Sequence, residues 1–385
     1  MVLNTVRFTT SNWVKIHTFG ALLCMIGFSQ LALAEQDVYF GTGSKLGDGI
    51  YHAVLNDDSG ELSSPKKVAD IKAPGFLAQH PSLEVLYAVA SIDKKPVVAA
   101  YKMAKNGQLS FINSVEIGDG GGAHIAVHSS GKFLLTAQYG GNSVALFSLD
   151  AKGSLIERAQ LIEHQGGSNV VPNRQKKPHP HWVGFSPDGQ YAFVPDLGMD
   201  TIMIYRVATD KPQLISHGRA DSVPGGGPRH MRFSTNGEYI YLLNEFALSV
   251  SSFAYNKEAG TATLMSVTPT LDEGLKRQEA FNSASEILVH PSGLFVYSAN
   301  RGHDSVSVFH NNEVSGKLAL QETESVRGSY PRNINLDNTG KWLFAAGQHS
   351  NTVSVFAIDQ TNGLLQYQTG KTVNVPEPIC VLFKH

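Results

Sequence analysis

Between residues 178 and 207 the chain reads PHPHWVGFSPDGQYAFVPDLGMDTIMIYRV, in which short apolar runs alternate with polar breaks. The runs cover residues 182–185, 191–195 and 201–207, and a Pro-Asp-Gly turn at 187–189 separates the first two. Stretches of this length, rich in Val, Ile, Tyr and Phe and bounded by turn residues, predict short antiparallel strands. The i, i+3, i+4 spacing of apolar positions that a helix needs is missing from this stretch.

The unit repeats. It recurs as HIAVHSSGKFLLTAQYGGNSVALFSL from His124, HMRFSTNGEYIYLLNEFALSVSSFAY from His230, EILVHPSGLFVYSANRGHDSVSVF from Glu286 and RNINLDNTGKWLFAAGQHSNTVSVF from Arg332. A weaker copy, FLAQHPSLEVLYAVASIDKKPVVAAY, starts at Phe76. About six copies at a spacing of roughly 50 residues match the period of four-stranded propeller blades. Segments such as GSLIERAQLI and GKLALQE, each following a turn glycine, supply the outer strands. One further blade is divided between the termini. PICVLF at residues 378–383 resembles the first strand of a unit, and residues 38–42 and 49–55 resemble the second and third. Joining the ends in one blade removes the open edges of a linear array. The expectation is an all-β, seven-bladed propeller. Two stacked β-sandwiches, the rival arrangement, would give the termini no reason to share a repeat.

The repeat also locates candidate chemistry. The turn between the first two strands of a unit carries Gly131, Gly189, Gly237, Gly293 and Gly340. Eight residues before each lie Ala123, His181, Arg229, Ser285 and Arg332; eight after lie Tyr139, Leu197, Glu245, Arg301 and Gln348. Antiparallel strands reverse at each turn, so both columns belong to one face of the disk, around the channel mouth. The apolar column Phe133, Tyr191, Tyr239, Phe295 and Trp342 is preserved as scaffold, whereas the mouth columns diverge from blade to blade. Divergence confined to one rim is expected of a site grafted on a fold.

Four of these residues form a chemically coherent set. His181 and Glu245 can share acid and base work near neutral pH, the imidazole by its ordinary range and a confined Glu by upward tuning. Arg229 and Arg301 can hold an anionic group or an oxyanion formed at a carbonyl. No Gly-x-Ser-x-Gly elbow and no cysteine nucleophile is present, so attack by an activated water on a neutral ester, such as the lactone of a polar acid, suits the set. His179, Arg332 and Gln348 are assigned to substrate binding. His179 and His181 form an H-x-H pair on one side of an extended segment, without a carboxylate motif to complete a metal site. The basic run RQKK at 174–177 reads as a solvated loop, or as an attractor for an anionic substrate. The glycine-rich stretches 120–122 and 225–227 do not open helices and so are not phosphate loops. They suit tight passage over the rim, and the charged insertion 271–285 is placed to cover part of the mouth.

Composition adds location and partners. Lys and Arg number 31 against 33 Asp and Glu, which gives no electrostatic reason to expect nucleic acid. Ahead of the repeats, Arg7, Lys15 and His17 precede an apolar run that ends in Ala32-Leu33-Ala34, the pattern of a secretory signal with an A-x-A cleavage site. The expected division is a signal peptide at 1–34 and a propeller at 35–385. The run is short for a membrane anchor. After cleavage only Cys380 remains, so no internal disulfide can form. A monomer in the periplasm or outside the cell, with no membrane association once processed, is expected.

The runs RQKKPHPHWVGFSPDGQYAFVPDLGMDTIMIY, GGGPRHMRFSTNGEYIYLLNE, ILVHPSGLFVYSANRGHDSVSVF and YPRNINLDNTGKWLFAAGQHSNTVSVF resemble the seven-bladed lactonase family. That family includes bacterial propeller-type 6-phosphogluconolactonases and fungal carboxy-muconate lactonising enzymes. The resemblance spans the chain from about Val38 and implies opening or closure of a lactone ring with no metal or cofactor, on a small-molecule lactone or sugar acid. The His, Arg, Glu and Arg of the muconate enzymes fall on His181, Arg229, Glu245 and Arg301, and the Gln of the final copy falls on Gln348. Ala90-Ser91 departs from the Asn-Glu common in relatives. An exported chain is separated from cytoplasmic sugar phosphates, which brings in a different lactone, or ligand binding without catalysis, as alternatives. Within the enzyme class the alternative is a lactone-forming cyclase.

Overall fold

Turn chemistry explains the hairpins at the centre of each blade. Gly189 and Gly237 adopt φ of 72°, a region glycine enters without steric cost, and each closes its turn on the carbonyl three residues back, at 2.8 and 2.9 Å. The strands that leave these turns build seven four-stranded antiparallel sheets, the last extended by a short fifth strand, in a computed structural model that describes residues 1–2, 35–208 and 210–385. The export signal read at 1–34 lies, apart from residues 1 and 2, outside the described residues.

Blade 1 joins the two ends of the chain. Its inner strand is Pro378–Phe383, followed outward by Glu35–Thr42, Gly49–Asn56 and Lys66–Asp70, with Phe40 opposite Val381. Blades 2 to 7 follow in chain order, and their innermost strands begin at Lys72, Gly122, Gly184, Pro228, Ser283 and Pro331. The seven-bladed propeller with shared termini is therefore the observed fold.

Packing holds the ring together between blades. Among the described residues the apolar core divides into seven clusters, each straddling one pair of neighbouring blades. Phe40, Phe383, Trp342 and Phe344 seal blade 7 against blade 1, the joint that closes the ring. Histidines just ahead of the hairpin turns act as straps. The Nε2 of His80, His128 and His290 reach the turn carbonyls of Gly131, Gly189 and Gly340 in the next blade, at 3.1, 3.0 and 2.8 Å.

One irregularity of the inner strands positions the site. Register slips between Gly122 and His124, Pro228 and Met231, Ala284 and Ile287, and Pro331 and Asn333. A bulge in an antiparallel pair bends the strand and re-aims a side chain. Here the same bulge falls at the start of successive inner strands, beside Arg229, Ser285 and Arg332, of which Arg332 lines the mouth and Arg229 lies behind Glu245. Blade 4 differs: only Gly184–Phe185 pairs as a regular inner strand, where the sequence suggested 182–185. Its upstream part is held instead by an isolated bridge from Pro180 to Asp196 and by the His181 N–H on the Pro195 carbonyl at 3.1 Å.

Candidate active site

The mouth is a depression of about 500 Å³ lined by Tyr139, Arg174, His181, Glu245, Arg301, Tyr330 and Arg332, with Phe281 and the 121–123 backbone at its edge. A volume of that order suits a small ligand.

Glu245 follows the second strand of blade 5, and its buried carboxylate gathers three guanidiniums. Oε2 accepts from Arg229 Nε at 3.0 Å and forms an ion pair with Arg301 Nη2 at 3.1 Å, and Oε1 accepts from Arg174 Nη2 at 3.1 Å. Burial pushes the Glu245 carboxyl up, but Arg301, Arg229 and Arg174 outweigh it, and the group lies below its ordinary 4.5. The upward tuning suggested by confinement is thus corrected: three cations override the desolvation, and Glu245 is ionised at neutral pH. Burial and the Arg301 charge lower Arg229 to about 9, against the pull of Glu245, which leaves it a cation at neutral pH. Arg229 also donates to the Ser285 carbonyl and Arg301 to that of Ala284, at 2.8 Å for the latter.

The chain geometry behind these side chains is specific. Glu245 N–H bonds the Gly227 carbonyl at 2.7 Å, and a Cβ on Gly227 would lie 2.6 Å from the Phe246 ring. Glycine is required there, where the 225–227 segment crosses close to the Glu245 turn. Arg174 is aimed by its neighbour Gln175, which is buried and anchored to the Leu197 carbonyl at 2.9 Å and Asp200 at 2.5 Å. The Arg174 guanidinium lies over the Phe246 ring, 4.4 Å from its centre. Tyr330 holds a left-handed backbone, φ 61°, with its N–H on Asp304 at 2.8 Å, and its ring lies under the Arg301 guanidinium. A non-glycine residue kept in that region by a specific contact marks a position where geometry matters.

His181 comes from the segment before blade 4. Buried Asp196 fixes that segment by accepting the His179 and Gly198 N–H groups at 2.7 and 3.0 Å, and its other oxygen pairs with His164 at 2.6 Å. Burial, then the charges of Arg229, His230 and Arg332, hold the His181 imidazole well below its ordinary 6.5. It is neutral at neutral pH, a proton acceptor. Arg332 makes no hydrogen bond or ion pair among the described residues, so its donors are free to take a ligand. Burial and Arg301 lower it.

Of the seven residues singled out from the sequence, His181, Glu245, Arg301 and Arg332 line the mouth. Arg229 lies behind Glu245 and holds it. His179 does not line the depression: its Nδ1 donates to the Tyr139 carbonyl at 2.8 Å and its ring stacks on Tyr139. Gln348 turns away, donating to Glu377 at 3.2 Å. Arg174, Tyr330 and Phe281 join the site although no repeat column contains them. Arg174 carried a weak signal as part of a basic run beside the H-x-H pair, and Phe281 lies in the charged insertion.

Fold and mouth together define a β-propeller with an arginine-rich, histidine-bearing depression on its inner strands. The chain belongs to the seven-bladed β-propeller lactonase family, whose model matches residues 37–383. It is 34% identical over 349 residues to a 6-phosphogluconolactonase of Bacillus subtilis, covering 90% of this chain and 98% of that one. A 6-phosphogluconolactonase of Formosa agariphila is 34% identical over 333 residues, 84% of this chain and 92% of that one. Among solved structures, the periplasmic gluconolactonase PpgL of Pseudomonas aeruginosa superposes with a TM-score of 0.84 at 28% identity, over 91% of this chain and 99% of that one.

Proposed function

We propose that the protein is an exported lactonase that hydrolyses the lactone of a sugar acid at the channel mouth. The observation that carries this reading is a neutral, buried imidazole beside a carboxylate-anchored group of guanidiniums, in a member of the lactonase family. Relatives named 6-phosphogluconolactonase and gluconolactonase support the substrate class.

His181 is the base. It takes a proton from water as the water oxygen bonds to the lactone carbonyl carbon, and the carbonyl electrons move to oxygen. Arg301 and Arg332 supply the donors that stabilise this oxyanion. The oxyanion then collapses, the ring C–O bond breaks, and the imidazolium returns its proton to the leaving alkoxide. The product is an open hydroxy acid, which ionises at neutral pH and releases acid to the medium. Glu245, whose oxygens are occupied by three cations, sets the positions of Arg301, Arg229 and Arg174 rather than moving a proton.

The periplasmic relative and the signal pattern at 1–34 support an exported location, with a monomer acting on a small molecule. Fractionation of cells expressing the full chain tests this: activity confined to the cytoplasm contradicts export. For the reaction, acid release from a panel of sugar lactones is measured with the parent and with Glu245→Gln and Arg301→Ala. Turnover by the parent and a large loss in both folded variants is expected. No turnover on any lactone, with sugar-acid binding retained by calorimetry, is the behaviour of a non-catalytic binding propeller and would overturn the assignment.

A further inference from the structure

Below the mouth, the inner strands of blades 5 to 7 enclose a second carboxylate. Glu286 is fully buried, and four donors converge on it: His230 Nδ1 at 3.0 Å, Arg232 Nη2 at 3.0 Å, Asn333 Nδ2 at 2.8 Å and its neighbour's N–H, that of Ile287, at 3.1 Å. Both oxygens accept. His230 must therefore present N–H from Nδ1, which leaves the lone pair of a neutral ring on Nε2. That Nε2 is shut away from solvent and has no partner, and so is Nδ1 of His181. An unpaired buried polar nitrogen is costly, and two in adjacent rings call for an explanation.

The two rings stand 5.2 Å apart, centre to centre, edge to face. A hydrogen bond of about 2.9 Å between two imidazole nitrogens places the ring centres roughly 5 Å apart. A small reorientation of either ring thus joins the orphan donor of one to the orphan acceptor of the other. The rings are ringed by charge: Arg229 and Arg332 beside His181, and Arg229, Arg232, Arg332 and Arg301 beside His230, whose other neighbour is the His124 ring at 5.3 Å.

We propose that Glu286 and His230 are positioning residues that fix His181 as the Nδ1–H tautomer, so that its Nε2 is the basic nitrogen offered to the mouth. This rests on the reading of His181 as the base, and it assigns a purpose to a carboxylate that touches no part of the depression. When His181 accepts the water proton at Nε2, its Nδ1–H remains on His230. His230 keeps its own proton on Glu286, and the buried carboxylate stabilises the transient imidazolium through the intervening ring without itself taking a proton.

The tautomers can be observed independently of catalysis. In protein labelled with ¹⁵N-histidine, long-range proton–nitrogen correlations are assigned with His181→Gln and His230→Gln variants. Both rings are expected as Nδ1–H tautomers at neutral pH, with the His181 population disturbed in Glu286→Gln. A His181 ring protonated on Nε2 overturns the proposal. In kinetics, Glu286→Gln is expected to lower kcat on the order of tenfold or more with little change in KM. His230→Gln, whose amide oxygen can still accept from His181, should retain more activity than His230→Leu. Equal losses in the two His230 variants would mean a structural role only. If His181→Gln itself turns over lactone as fast as the parent, the base assignment fails, while the tautomer measurement still decides whether the relay exists.

Discussion

At the floor of the mouth one carboxylate, Glu245, faces Arg229, Arg301 and Arg174, and this excess of cations adds to burial in shifting the groups nearby. Burial first, and then the charges of Arg229, His230 and Arg332, keep His181 neutral. Its folded pKa is depressed, so the base form persists as pH falls below 6.5, and activity should be lost only at more acidic pH. Arg332 contributes to that depression. Arg332→Leu is expected to raise the His181 pKa and move the acid limb of kcat/KM to higher pH, while also weakening substrate binding. A pH–rate profile of the variant checks this; an acid limb unmoved or moved to lower pH contradicts it. His181, Arg229, Glu245, Arg301 and Arg332 were legible as positions because each lies a fixed count from a turn glycine. Their division of labour was not. Glu245 is pushed up by burial and further down by Arg301, Arg229 and Arg174, and the last of these reaches it from beside buried Gln175. Nothing in the run RQKK distinguishes that arrangement from a solvated loop. Glu286 was a more readable omission, as the one charged residue in the strand SASEILV.

Strand bounds read from the sequence agree closely with those observed, since four-to-seven-residue apolar runs and turn glycines are local signals. Residues 191–195 and 201–207 became Tyr191–Asp196 and Thr201–Ala208. The bulges that open the inner strands are different. They reflect pairing between strands, which no local pattern encodes, although their consequence, a ring of diverging residues, was visible. Gln348 shows the limit of column counting: its main chain keeps the equivalent place, while Glu377 draws its side chain away. The insertion between blades 5 and 6 carries a single helical turn, Glu273–Lys276, and then half-exposed Phe281 at the edge of the depression. Phe281→Ser should raise KM for a sugar lactone by about threefold, the value of one aromatic contact, without lowering Tm. Steady-state kinetics with a melting curve checks both. An unchanged KM would remove the insertion from the site.

Across the whole molecule, seven apolar joints and the shared first blade make the ring, and the termini's common repeat was the clearest large-scale signal in the chain. The channel then adds a pH dependence to stability. His124, His181 and His230 are each buried with pKa values held well below 6.5, chiefly by desolvation. As pH falls below 6.5 the unfolded chain binds protons that the folded chain refuses, so stability declines with acidification. Glu245 adds to this, its folded pKa being below 4.5: its contribution is present above that value and is lost as pH falls through the lower folded pKa. Tm is therefore expected to drop steadily between pH 7 and pH 5, and replacing His124 with Phe should flatten the decline. Calorimetry over that range checks it; a Tm rising on acidification would contradict the buried neutral histidines.

If His181 is the base, lactone hydrolysis at the mouth depends on its imidazole. The most direct test is the pH-stat rate of sugar-lactone opening by the parent and by a His181→Gln variant shown to be folded. A fall in kcat of about 10²- to 10⁴-fold is expected, the usual worth of a positioned base. Equal rates in the two proteins would contradict it.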